Sequence, residues 1–222
     1  MRKFIFTMFI VLATLHVAYA YDDHDFQVWN TDVEELKINK KAKVGFEQEF
    51  RWGNNASELY YQHYDAGFFY DIKGWLNMGA GFRQIYDLAG DKWLPCEEPY
   101  LTLTLSGAFK GFKIEDRSRM EWNDFDYKDD FWRYRNKFTL KFPWKFTKFE
   151  IQPYVSDEGF LVFGGLTCRF NQNRFQAGLS ATLMKNLKAD IYYMYQSFSS
   201  STKGLDFWKD ANVLGTKFKL SF

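Results

Sequence analysis

Between Phe112 and Pro143 the chain alternates, over most of its length, between charged or polar residues and apolar ones. Lys113, Glu115, Arg117, Arg119 and Glu121 fall at every second position of the first half, and Arg133, Arg135, Lys137, Thr139 and Lys141 do the same in the second. A period of two places alternate side chains on opposite faces of a strand. Between the second set stand Trp132, Tyr134, Phe138, Leu140 and Phe142, interrupted by Asn136, so one face is charged and the other largely aromatic and aliphatic. Two architectures accept such a strand. In a soluble sandwich the apolar face packs on a second sheet and the polar face meets water. In a transmembrane barrel the apolar face meets lipid and the charged face meets a polar lumen.

Two further segments favour the barrel. Met1, Arg2 and Lys3 precede an apolar run that starts at Phe4, followed by Ala18, Tyr19 and Ala20. That is the pattern of a secretory signal peptide with a small-x-small cleavage site. The run is shorter than the ~20 residues a membrane-spanning helix needs. Residues 1–20 are therefore expected to be removed and 21–222 to form one outer-membrane barrel. In the last stretch Leu214, Thr216, Phe218, Leu220 and Phe222 share a face. Of these, Phe218, Leu220 and Phe222 resemble the signal read by the barrel assembly machinery. Aromatic residues make up 21% of the chain while the mean hydropathy is negative. Strands that are apolar on one face only, with aromatic girdles, produce this combination.

Period-two runs and turn residues mark strands over 25–38, 43–52, 59–72, 75–87, 101–109, the two halves of the opening stretch, 148–158, 173–183, 189–198 and 213–222. The segments LAGDKWLPCEEP, FLVFGGLTCRF and SSSTKGLDFWKD read as connections. Single-chain bacterial barrels have even strand numbers. The expectation is thus an all-β, antiparallel transmembrane β-barrel of ten to twelve strands, with twelve favoured and the extra strand hidden in FLVFGG or in the long first run. Short turns near Asn39, Lys73, Gly111, Trp144 and Asn186 would face the periplasm. Longer loops near Asn54, Gly90, Asp124, Thr167 and Thr202 would face outward.

Several motifs, in order, resemble a family of bacterial outer-membrane β-barrels classed as a domain of unknown function. They are FEQEFR at Phe46 to Arg51, GFRQ at Gly81 to Gln84, DRSRMEW at Asp116 to Trp122, WRYRNK at Trp132 to Lys137, PYVSDEGF at Pro153 to Phe160, NQNRFQAGL at Asn171 to Leu179, and YYMYQ at Tyr192 to Gln196. The resemblance implies location and fold and carries no catalytic residues. FLVFGGLTC departs from it, standing where a plain outer loop is expected.

With the charged faces inward, the lumen would hold Glu47, Glu49, Arg51, Arg83, Glu115, Arg117, Arg119, Glu121, Arg133, Arg135, Glu150, Glu158 and Arg174. Unpaired charge in a narrow lumen is strongly unfavourable, so these groups are expected to pair across it. The result would be a structural ion-pair network or a charge-lined narrow pore. Gly79 and Gly81 share a face with Arg83 and would leave it room. A membrane-embedded hydrolase acting on lipid or glycan is the alternative. His63, beside Tyr61 and Asp65, is its candidate base, but no G-x-S-x-G elbow accompanies it. Glu47 and Glu49 are spaced as a glycosidase pair could be, although Arg51 points to salt bridging. No cofactor is implied, and the histidines and cysteines show no zinc-ligand spacing. Cys96 and Cys168 could form a disulfide in an exported chain or remain thiols. Trp75, Trp93, Trp122, Trp132, Trp144 and Trp208 fall near strand ends, as interface residues do. Net charge is +1, and both signs alternate on the same faces, which leaves nucleic acid unsupported as a partner. The expected partners are outer-membrane lipids and, during biogenesis, the assembly machinery, around a monomer.

Overall fold

The structure, a computed structural model, describes residues 23–164, 167–202 and 205–222. The expected leader at 1–20 lies outside the described residues. Eleven strands follow one another: β1 (Asp25–Lys37), β2 (Ala42–Gly53), β3 (Glu58–Lys73), β4 (Leu76–Ala89), β5 (Lys92–Phe109), β6 (Phe112–Asn123), β7 (Phe131–Lys141), β8 (Gln152–Gly164), β9 (Thr167–Met184), β10 (Leu187–Thr202) and β11 (Leu205–Ser221). Each pairs with its sequence neighbours, and β1 pairs with β11 to close a barrel.

The expectation of twelve strands is corrected by this count among the described residues. Neither suspected segment hides a strand. Residues 25–37 form a single strand, and residues 160–164 are the end of β8. An odd number has a mechanical consequence: the first and last strands run the same way. The seam is accordingly parallel, in register from Asp25↔Ala211 to Glu35↔Ser221, while every other pairing is antiparallel. β1 therefore begins at one end of the barrel, here the upper end, and β11 finishes at the lower end.

Three connections read from the sequence are strand instead. LAGDKWLPCEEP contributes residues 92–99 to β5, despite Pro95 and Pro99. β6 pairs with β5 from Tyr100 onward, and Glu97 N–H points beyond that register to the Asp124 carbonyl. Pro95 and Pro99 share the parity of Glu97, so their missing donors face a side where β5 has outrun β6. Proline is tolerated at such an edge. Of FLVFGGLTCRF, residues 160–164 belong to β8 and 167–170 to β9, and of SSSTKGLDFWKD, residues 199–202 belong to β10 and 205–210 to β11. The opposite error occurs at 148–151, which belongs to the connection between β7 and β8. There Thr147 and Glu150 adopt left-handed φ of 62° and 49°. The two long connections, 124–130 and 142–151, lie at opposite ends, so loop length does not alternate along the chain.

One face of each strand turns inward, where packing needs glycine at specific places. Tyr100 stands opposite Gly81 in register and Tyr192 opposite Gly215. A Cβ on either glycine would overlap the tyrosine ring. The room at Gly79 and Gly81 is thus taken by Phe69 and Tyr100, not by Arg83. Trp29, Tyr154, Tyr192, Met194 and Val213 form an apolar cluster on the β8–β11 and β1 side of the interior.

Candidate functional site: the charged lumen

The β3–β8 side of the interior is filled differently. Arg83 lies in register between Asp65 and Glu98. It donates from Nη2 to Asp65 at 3.1 Å and from Nη1 to Glu98 at 2.9 Å. The other oxygen of Glu98 accepts from Arg133 at 2.5 Å, reaching over β6. Arg133 Nε also donates to Glu121 Oε2 at 2.6 Å, and Arg135 Nη1 to Glu121 Oε1 at 2.9 Å. Arg135 continues to Glu158 at 3.0 Å, which also accepts from Arg117 at 2.8 Å. The result is one chain of ion pairs running from Asp65 to Glu158. Glu98 and Glu121 are 0% exposed. Buried carboxylates persist only when paired, and each of these two bridges a pair of guanidinium groups, Glu98 those of Arg83 on β4 and Arg133 on β7, Glu121 those of Arg133 and Arg135 on β7.

A second group surrounds β2. Glu49 accepts from Arg51 Nε at 2.7 Å and from the Thr31 hydroxyl at 2.8 Å. Arg51 is sandwiched between the rings of Trp29 and Tyr61, at 3.8 and 3.7 Å. Glu47 accepts from Lys217 at 3.0 Å, across β1. His63 is buried with Nε2 3.3 Å from Glu47 and Nδ1 3.1 Å from the Tyr61 hydroxyl. It does not pair with Asp65, which is held by Arg83 and by the Tyr100 hydroxyl at 2.7 Å. The imidazole is therefore part of the lumen packing. Glu47 and Glu49 are likewise each engaged by a cation.

These pairs leave a central cavity of about 110 Å³ lined by three carboxylates and seven arginine and lysine side chains. Larger cavities open above it, about 460 Å³, and below it, about 370 Å³. The lower cavity shares Glu47, Arg117 and Lys217 with the centre, and the upper one shares Arg51, Arg83, Arg135 and Arg174. The interior is thus a stack of chambers with a charged constriction at mid-height.

The structure brings Glu47, Glu49, Arg51, Arg83, Arg117, Arg119, Glu121, Arg133, Arg135, Glu158 and Arg174 to the interior. Glu115 faces the lower cavity without an ion pair among the described residues. Glu150 is misplaced by sequence reasoning. It lies exposed in the lower connection, 2.9 Å from Lys145, whose ammonium holds its carboxyl below the usual carboxylate range. The sequence reading missed Glu98 and Lys217, along with the role of Asp65 as an ion-pair partner. The prolines beside Glu98 and a second acid at Glu97 masked its parity, whereas Lys217 and Lys219 on alternate positions of the last strand were a usable signal.

Cys96 is buried on β5 and Cys168 exposed on β9, and both are free thiols, so no disulfide links them. Trp75, Trp93, Trp132, Trp144 and Trp208 are exposed, and Trp122 packs on Trp132 with ring centres 5.0 Å apart. Phe218 and Leu220 share the outer face of β11, and Phe222 follows with its N–H bonded to the Glu35 carbonyl at 2.9 Å. Asp23, His24 and Asp210 gather at the upper rim, a proximity their sequence spacing did not suggest.

A family model described as "Protein of unknown function (DUF2490)" matches residues 26–206, and the chain belongs to that family. No curated protein and no solved structure matches it.

Proposed function

For this member of a family of unknown function we propose an outer-membrane β-barrel, exported by a cleaved leader at 1–20, whose lumen is shut at mid-height by its own ion pairs. It serves as a structural barrel and passes solutes only if that tier opens. The observation that carries the reading is the complete burial of Glu98 and Glu121, each clasped by two arginines. About eight strands leave an interior filled by side chains and about sixteen an aqueous channel. Eleven fall between, and here charge fills the gap.

The outer face supports the membrane location. Phe68, Met78, Phe82, Leu101, Phe138, Phe175, Leu179 and Leu214 all stand exposed on it, an apolar surface of the kind that meets lipid. Two of the acids among them are met by neighbouring amides: Asp116 accepts from Asn136 at 2.8 Å and Asp157 from Asn173 at 3.1 Å. Closure leaves no free sheet edge, which fits a monomer. The outward row of Phe218, Leu220 and Phe222 is available to the assembly machinery, and the upper end would then face the exterior.

The test is planar-bilayer conductance of the refolded protein beside Arg133→Ala and Arg135→Ala, with heat-modifiable gel mobility confirming that each remains a barrel. The wild type should be silent and the variants should conduct. A steady, ion-selective wild-type conductance would refute the closed lumen.

A further inference from the structure

One cation of the lumen is not satisfied by the barrel itself. Arg119 is 7% exposed, and its Nε and Nη1 have no hydrogen-bond partner among the described residues. A carboxylate oxygen, Glu121 Oε1, lies 3.8 Å from Nη1, but it already accepts from Arg135 at 2.9 Å. The guanidinium lies over the Tyr100 ring at 4.0 Å. Stacking of this kind fixes the plane of the group and leaves its edge donors unspent. Arg117, Arg83 and Arg135 are its like-charged neighbours. Unpaired donors on a buried cation are costly, and each such group in a folded chain calls for a missing acceptor.

The surroundings suit an acceptor from outside the chain. Arg119 lines the lower cavity of about 370 Å³ together with Arg117, Lys217 and the hydroxyls of Thr104 and Ser106. Thr102 stands opposite Arg119 and Thr104 opposite Arg117, so donors from β5 and β6 form adjacent rungs. The Thr102 hydroxyl is committed to the Ser118 carbonyl at 3.2 Å. Arg117 spends Nη2 on Glu158 and keeps an unpartnered Nε. Of the acids that line the cavity, Glu35 is occupied by Lys43 and Lys219 at 2.7 and 2.9 Å, Glu47 by Lys217, Asp65 by Arg83 and Asp71 by the Asn77 amide at 2.6 Å. Glu115, opposite Ser106 and further from Arg119 along β6, has no ion pair among the described residues.

We propose that this cavity binds a small tetrahedral oxyanion of the phosphate or sulfate class, with Arg119 as its principal ligand and Arg117 and Thr104 beside it. A tetrahedral oxyanion offers several acceptor oxygens to donors arriving from two strands, and arginine is the side chain best matched to it. The cavity exceeds one such ion, which leaves space for an attached body toward the lower rim. The site opens below the closed tier and shares Arg117 with it, but binding is read by titration and closure by conductance, so the two readings can fail separately.

Calorimetric titration of the refolded protein with inorganic phosphate at low salt tests this, with chloride at matched ionic strength as control and Arg119→Gln and Arg119→Lys alongside. Saturable one-site binding is expected in the wild type. Arg119→Gln should weaken it at least about tenfold, as loss of a charge-assisted hydrogen bond does, and Arg119→Lys should weaken it less. Titration with glycerol phosphate separates the sources: tighter binding than phosphate identifies a head group, and equal binding identifies the free ion. Wild type that binds neither, or Arg119→Gln that binds as wild type does, overturns the proposal. Should Arg119→Gln fail to refold, the wild-type melting temperature decides. A rise in phosphate over chloride is expected, and no rise overturns the site.

Discussion

The two sides of this lumen are filled by opposite means. From β3 to β8 the interior is a run of ion pairs, Asp65 to Arg83 to Glu98 to Arg133 to Glu121 to Arg135 to Glu158. From β8 through β11 to β1 an aromatic and aliphatic cluster fills it beside the cations Arg174 and Lys217, with Tyr192 laid against Gly215 and Gly178. The two meet at Trp29, whose ring lies 3.8 Å from Arg51 and 4.9 Å from Arg174. Apolar packing tolerates loss of one partner at the cost of a cavity. A buried ion pair does not, because removing one member leaves the other as an uncompensated charge. The charged side should therefore be fragile to single deletions, and the aromatic side to added volume.

The largest effect is expected at the centre of the charged side. Glu121→Ala strips the shared carboxylate from Arg133 and Arg135 and should cost about 3–5 kcal/mol, the usual penalty for orphaning one half of a buried pair. Denaturant unfolding followed by gel mobility in micelles would measure it. A loss under about 1 kcal/mol, the range of exposed pairs, would erase the contrast between the two sides.

On the aromatic side, Gly215→Ala drives a methyl group into the Tyr192 ring and should cost about 1–3 kcal/mol by overpacking. Tyr192→Val in the same chain should recover most of that loss. Strict additivity of the two changes would show that the ring and the glycine do not share the space.

The smallest effect belongs to the ion pair outside the lumen. Because Lys145 depresses the carboxyl of Glu150, any stabilisation is present above the unfolded carboxylate value and fades as pH falls through the lower folded one. The group is exposed and its partner is screened by salt. Glu150→Gln should leave the unfolding midpoint unchanged, and 1 M salt, where the Debye length is about 3 Å, should do the same to the wild type. A measurable fall in either would mean that rim charges contribute as the lumen does.

Parity along β2, β6 and β7 was enough to identify Glu47, Glu49, Arg51, Arg117, Arg133 and Arg135 as inward. It failed at Glu150, where the alternation runs on past the strand into a turn with left-handed backbone. It failed at Glu98, where Pro95 and Pro99 imitate a loop although β5 stays paired with β4 throughout. The parallel seam was out of reach too, since the even-number rule argued against it and no local pattern reports how a sheet closes.

The sequence by itself determined the face on which most side chains stand, because a two-residue period is a local property of extended backbone. Only the tertiary structure decided which charges meet. Arg133 finds Glu98 over an intervening strand, and Lys217 finds Glu47 across the seam, from nearly opposite ends of the chain. Those partners are set by register and closure, which depend on strands far apart in sequence and leave no mark on the pattern of any one of them. The same closure leaves Arg119 inside the barrel without an acceptor of its own.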